Sequence, residues 1–244
     1  MTANRPIPLL RLLRIAPFLR PVVQALYKRT APTLNKELMG LSFPSPIGVA
    51  AGIDKRGEYT DELACLSAGF VEIGPLRDVM LSIQHLQQRT EDIIVLGNLS
   101  NTKDIERSFT LLYDFVDAIV LNVSLNTSVQ LHIDHLLELR RYNDTYKPII
   151  FKLFPNLTSE VLEEVADYML RSGIDGVMTN AEFVPDVREK TLGLLPVIAI
   201  AEITKPERAA QLLDMGADLI SVSNSLFHYG PNLIKKINKY LEKR

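Results

Sequence analysis

The chain has 244 residues, of which 47% are hydrophobic and 23% charged, with a formal net charge of −2. That length fits one large domain with a sizeable core, and the charge balance gives no sign of a nucleic-acid binder. Cys65 is the single cysteine and reads as a small core residue. It cannot form an internal disulfide, the four histidines are scattered and suggest no metal site, and no apolar run is long enough to span a membrane.

The first element is a basic arm over residues 1–36. Arg5, Arg11, Arg14, Arg20, Lys28, Arg29 and Lys36 precede the first acid, Glu37, and Leu9, Leu10, Leu12, Leu13, Ile15, Phe18, Leu19, Val22, Val23, Leu26 and Tyr27 lie among them. The pattern predicts an amphipathic helical arm punctuated by proline. Three readings are open: a helix pair resting on an anionic membrane, a cap packed on the domain that follows, or a dimer contact. Arginines break the apolar run and no small-residue cleavage site follows, which argues against a secretory leader. The expected location is cytoplasmic, and on the first of these readings peripheral at the inner face of the cytoplasmic membrane.

From residue 44 short apolar runs alternate with amphipathic stretches. The runs are 46–51, 70–73, 93–97, 117–121, 148–153, 175–179, 196–200 and 218–222, and helical patterns fall near 57–68, 76–89, 103–115, 128–142, 158–172, 183–191, 205–215 and 229–242. Thr158-Ser159-Glu160 opens one helix. Thr204 and Pro206 open another, which Gly216 ends. Eight strand-helix units over residues 37–244 predict an α/β fold, a (β/α)8 TIM barrel with a short helical arm in front. A doubly wound open sheet is the alternative.

A barrel of this kind builds its site at the C-terminal ends of the strands. The first strand ends in Ala50, Ala51 and Gly52, small residues over which a flat ligand can lie close to the backbone, with Lys55 beside the gap. Asn98, Asn122, Asn126, Lys152 and Asn180 end later strands. Amides and cations in one ring suit a small, planar, anionic ligand. Taken singly, an asparagine at a strand end is equally a turn former.

The string Pro46-Ile47-Gly48-Val49-Ala50-Ala51-Gly52-Ile53-Asp54-Lys55-Arg56-Gly57-Glu58 resembles the first barrel strand of the dihydroorotate dehydrogenase family. Leu96-Gly97-Asn98-Leu99-Ser100-Asn101-Thr102, Leu121-Asn122-Val123-Ser124-Leu125-Asn126-Thr127, Ile150-Phe151-Lys152-Leu153 and Asp175-Gly176-Val177-Met178-Thr179-Asn180 resemble its later strand ends. The resemblance runs from about residue 37 to the end, and the membrane-linked branch, which also carries a helical arm, is the most similar. It implies a TIM barrel that binds FMN and oxidises dihydroorotate to orotate in pyrimidine biosynthesis. It implies that Ala51, Gly52, Asn98, Lys152, Ser223 and Asn224 meet the cofactor. It further implies that Lys55, Asn122, Asn126, Thr179 and Asn180 meet the substrate and that Ser124 stands where the catalytic base belongs.

The departures fall on the chemistry. The family ends its seventh strand in Gly-x-Gly-Gly, whose amides cradle the FMN phosphate. This chain has Ala199-Ile200-Ala201-Glu202, and Ser223-Asn224-Ser225 replaces the glycine-bearing segment after the eighth strand. Glu202 puts a negative charge beside a dianion. At about 4–5 Å and an effective dielectric near 20, each pair of like charges costs roughly 3–4 kcal/mol. Pro75 stands in place of a flavin-binding threonine, and Ser124-Leu125 is one residue shorter than the family's Ser-Ser-Pro. The expectation is therefore a diverged, shortened family member with an eroded FMN site, acting as a binding protein or pseudoenzyme. The alternatives are an active FMN-dependent dehydrogenase and a barrel enzyme acting on another phosphorylated metabolite.

Overall fold

A computed structural model describes residues 8–27, 32–100, 104–122, 127–155 and 157–244. Helices α1 (Pro8–Ile15) and α2 (Arg20–Tyr27) precede an antiparallel hairpin of β1 (Lys36–Leu38) and β2 (Leu41–Phe43). Strand and helix then alternate: β3 (Ile47–Asp54), α3 (Thr60–Ala64), β4 (Phe70–Ile73), α4 (Val79–Gln87), β5 (Ile94–Leu99), α5 (Ile105–Leu112), β6 (Ala118–Leu121) and α6 (Thr127–Arg140). The second half is β7 (Ile149–Lys152), α7 (Ser159–Ser172), β8 (Gly176–Asn180), α8 (Val184–Lys190), β9 (Val197–Ala201), α9 (Pro206–Asp214), β10 (Leu219–Val222), α10 (Ser225–Tyr229) and α11 (Asn232–Leu241). β3 to β10 close a barrel in chain order, with β10 paired back onto β3. The strands are apolar on both faces because one face fills the barrel and the other meets the helices.

Strand parity decides what reaches the site. Phe70, Leu96, Val120, Ile150, Met178, Ile198 and Leu219 pack together inside the barrel, while Val71, Val95, Val177, Val197 and Ile220 pack outward under the helices. Gly48 makes room for the inward Phe70 ring, since a Cβ there would come within 2.5 Å of it. Two residues further along each strand, the inward positions become Glu72, Asn98, Asn122, Lys152, Asn180, Ile200 and Ser221. The polar ring at the mouth thus continues the same alternation that fills the barrel below it.

The hairpin is an element the sequence reading did not anticipate. Met39 and Gly40 turn it with φ of 54° and 75°, the backbone of a two-residue hairpin turn. It plugs the N-terminal end of the barrel. Phe43 is fully buried and meets Phe70 edge to face, centroids 5.8 Å apart. Two other differences are local. β3 runs on to Asp54 through an irregular register against β4, and a short unanticipated helix, α10, precedes α11 across Gly230-Pro231. Thr158 caps α7 as expected, accepting from the Val161 amide at 3.4 Å, whereas Lys205, not Thr204, sits at the cap of α9.

The arm docks on the barrel flank. Leu10, Leu13 and Val23 are buried. Arg20 reaches Asp61 at 2.8 Å and Glu62 at 2.6 Å, and Arg14 pairs with Glu58. Ser67 donates to the Tyr27 carbonyl at 2.6 Å. Two cations that a membrane-facing surface would present are therefore turned onto barrel carboxylates. On the outer side Leu12, Ile15, Phe18, Val22 and Leu26 are 50–83% exposed.

Candidate functional site

The mouth is organised by a residue that sequence reasoning passed over. Glu72 lies on β4, wholly buried and aimed into the barrel. Its carboxylate accepts from three strands: from the Ala51 amide at 2.9 Å, the Asn98 amide nitrogen at 2.5 Å and the Lys152 ammonium at 2.7 Å. A buried charge is tolerated only when so paired. Its signal in the sequence was an acid inside an apolar strand, where a charge is rare unless it has partners. Lys152 and Asn98 are thus brought together and held in fixed orientation.

Ala51 and Gly52 form the floor beside this cluster. Gly52 adopts φ of 95°, and no atom among the described residues would lie within 4 Å of a Cβ there. The loop that follows is held by Asp54. Its buried carboxylate accepts from the amides of Arg56, Glu58 and Tyr59 at 3.3, 3.0 and 2.8 Å. Burial pushes this carboxyl up to about 6 despite the three amides that pull it down. Lys55, on the loop so fixed, is exposed and has no hydrogen bond or ion pair among the described residues.

Asn122 directly follows β6 and Asn180 ends β8 at the mouth, both partly exposed. Thr179 has the opposite parity. It shares the outward face of β8 with Val177 and is 2% exposed, so its side chain lies under the helices and not in the mouth. Ser124 and Asn126 fall outside the described residues.

The other side of the mouth, after β9 and β10, is closed on itself. The Ser223 hydroxyl donates to the Ala201 carbonyl at 3.1 Å, and its amide donates to the same oxygen at 3.0 Å. Ser225 is fully buried and accepts from the Ile203 amide at 2.5 Å. The Ser223 hydroxyl expected to serve a phosphate is therefore committed within the protein, Ser225 is buried beneath it, and Glu202 and Asn224 stand exposed at the rim. Phosphate sites in barrels of this kind use the loops after these two strands, and here the residues do not fit one.

A cavity of about 260 Å³ separates arm and barrel, lined by Arg14, Arg20, Gly57, Glu62, His85 and Arg89 among others. Among the described residues no His, Cys, Asp and Glu cluster is arranged to hold a metal ion, and no helix is long and apolar enough to cross a membrane.

No family model matches the chain. It is 26% identical to the protein named dihydroorotate dehydrogenase (quinone) of Coxiella burnetii over 288 aligned positions, covering 84% of this chain and 83% of the relative. It is also 26% identical to the protein of that name from Proteus mirabilis, covering 89% and 90%. Since 288 aligned positions exceed the 244 residues present, the Coxiella relative carries insertions between the matched segments. Among solved structures, the dihydroorotate dehydrogenase of Eimeria tenella in complex with ferulenol superposes with a TM-score of 0.76 at 19% identity, covering 99% of this chain and 92% of that one. That likeness is one of fold.

Proposed function

We propose that this chain, which belongs to the dihydroorotate dehydrogenase family, is a diverged barrel that does not retain FMN and that rests on a membrane through its arm. The observation that carries the first half is the closed phosphate end. Ser223 and Ser225 already hold Ala201 and Ile203, and Glu202 adds like charge at the rim. FMN binding there would require the Ser223 hydrogen bond to break and a charge repulsion to be overcome. The second half rests on the exposed ridge of Leu12, Ile15, Phe18, Val22 and Leu26. An apolar stripe of this kind on a docked helix pair fits the boundary between lipid headgroups and chains. The relatives' name includes quinone, an electron carrier that dissolves in lipid, which agrees with a barrel held at that surface.

An FMN-dependent enzyme oxidising dihydroorotate to orotate is the second reading. One feature favours it: Glu72 holds Lys152 and Asn98 ready at the ring side of the mouth. A visible absorbance spectrum of the purified protein, taken after incubation with excess FMN and gel filtration, separates the two. The proposal expects a colourless protein. A flavin band that travels with the protein in stoichiometric amount overturns it.

A further inference from the structure

On the flank opposite the arm, helix α7 carries charges that the barrel itself does not use. The arm is tied to Glu58, Asp61 and Glu62, which follow β3, and α7 follows β7, four strands round the closed barrel of eight. A groove of about 790 Å³ runs between α7 and α8. Leu170 and Leu192 line it, with five acids, Glu160, Glu163, Glu164, Asp167 and Glu189, against one cation, Lys190. Lys190 is spent on Glu163 at 2.9 Å, and Asp167 is paired with Arg171. Glu160, Glu164 and Glu189 have no cation partner among the described residues. The acids of α7 recur at i and i+4, a spacing at which like charges repel. The apolar side of the groove is equally uncovered. Leu192 is 73% exposed and Leu194 70%. Leu192 holds φ of 53° in the turn after α8, a left-handed backbone in which glycine is the favoured residue. A leucine there is disfavoured by its backbone and by water alike.

We infer that the α7–α8 groove is the docking surface for a basic amphipathic helix of another protein. α7 is 14 residues long, roughly 20 Å, which matches a partner of about four turns. Apolar side chains at i, i+3 or i+4 and i+7 of that helix cover Leu170 and Leu192. Its lysines or arginines meet Glu160, Glu164 and Glu189 at the rim. Charge argues against the other occupants. This face repels nucleic acid and an anionic lipid surface, and two copies paired groove to groove would set acid against acid. The arm of a second copy would dock head to tail, a contact that does not close. The inference is independent of FMN loss. It adds that a molecule resting on a membrane by its arm turns this groove to the side away from it.

The test is binding of a fluorescent synthetic helix of leucine and lysine, with leucines at i, i+3, i+4 and i+7, to the full-length protein, read by anisotropy. A shuffled peptide of the same composition is the control. The patterned peptide is expected to bind on the order of ten-fold more tightly than the shuffled one, to weaken with salt, and to protect the amides of α7 and α8 from hydrogen exchange. The double variant Glu164→Lys, Leu192→Ser is expected to lose about ten-fold in affinity. Glu207→Lys, which makes the same change in net charge on α9, is expected to leave affinity unchanged. No binding, equal binding of both peptides, equal loss in both variants, or protection elsewhere than α7 and α8 overturns the inference. Self-association of the chain that Glu164→Lys abolishes also overturns it, because the groove would then belong to the arm of a second copy. The protection map is read on the unaltered protein, so it does not depend on whether a variant folds.

Discussion

At the scale of single residues, two buried acids do different work. Glu72 is neutralised by Lys152 and organises the mouth. Asp54 has no cation partner among the described residues and is held by three amides, and burial pushes its carboxyl from 3.8 up to about 6. The folded chain therefore keeps a proton that the unfolded chain releases between about pH 4 and 6. Stability at this residue falls as pH rises through that window, by about 3 kcal/mol in all. Urea midpoints measured at pH 4 and pH 7 should show this decline, and Asp54→Asn should flatten it. If the Asn variant keeps the full slope, the effect belongs to another acid such as Glu62, whose carboxyl burial also raises. Thr179 and Asn180 show how one position decides a role: neighbours in sequence, they point to opposite faces of β8 because side chains alternate along a strand.

At the scale of elements, the arm is an amphipathic pair with two apolar sides. One side is buried on the barrel flank through Leu10, Leu13 and Val23, and Arg20 latches it to Asp61 and Glu62. Removing the cation leaves the buried Glu62 carboxylate without its counter-charge and Asp61 with only the Thr90 and Glu91 donors. Arg20→Ala should cost about 2–4 kcal/mol and should expose the segment before residue 32 to protease before the barrel unfolds. A variant that melts and is cleaved like the parent would show that the latch contributes nothing. The outer side is separable from the latch. Phe18→Glu, at a residue 77% exposed, should change stability by no more than about 0.5 kcal/mol yet abolish co-sedimentation with anionic lipid vesicles. Unchanged sedimentation would rule out the ridge as the membrane contact.

At the scale of the molecule, the barrel is closed at its N-terminal end. The hairpin fills the N-terminal end with Phe43, packed on Phe70. Phe43→Ala should leave a cavity and cost about 3–5 kcal/mol, read from denaturant unfolding; a loss below about 1 kcal/mol would mean that the hairpin is an ornament and not a plug. Charge is also distributed globally. Seven of the 27 cations precede residue 37, leaving 20 against 29 acids in the rest. A basic arm on an acidic barrel is attracted to it before any specific pair forms.

The sequence by itself determined the eight units, their order and hence the barrel, because the alternation of short apolar runs with helical stretches permits few other folds. It also located the strand ends where Lys55, Asn98, Asn122, Lys152 and Asn180 stand. It did not reveal the hairpin, whose two three-residue strands are too short to show a period and are held by the barrel they close. Nor did it reveal that Glu72 is the hub or that Ser223 and Ser225 are already bonded. Each of these depends on which side chains meet across strands 20 or more residues apart. Such distances are set by closure of the barrel and not by any local pattern.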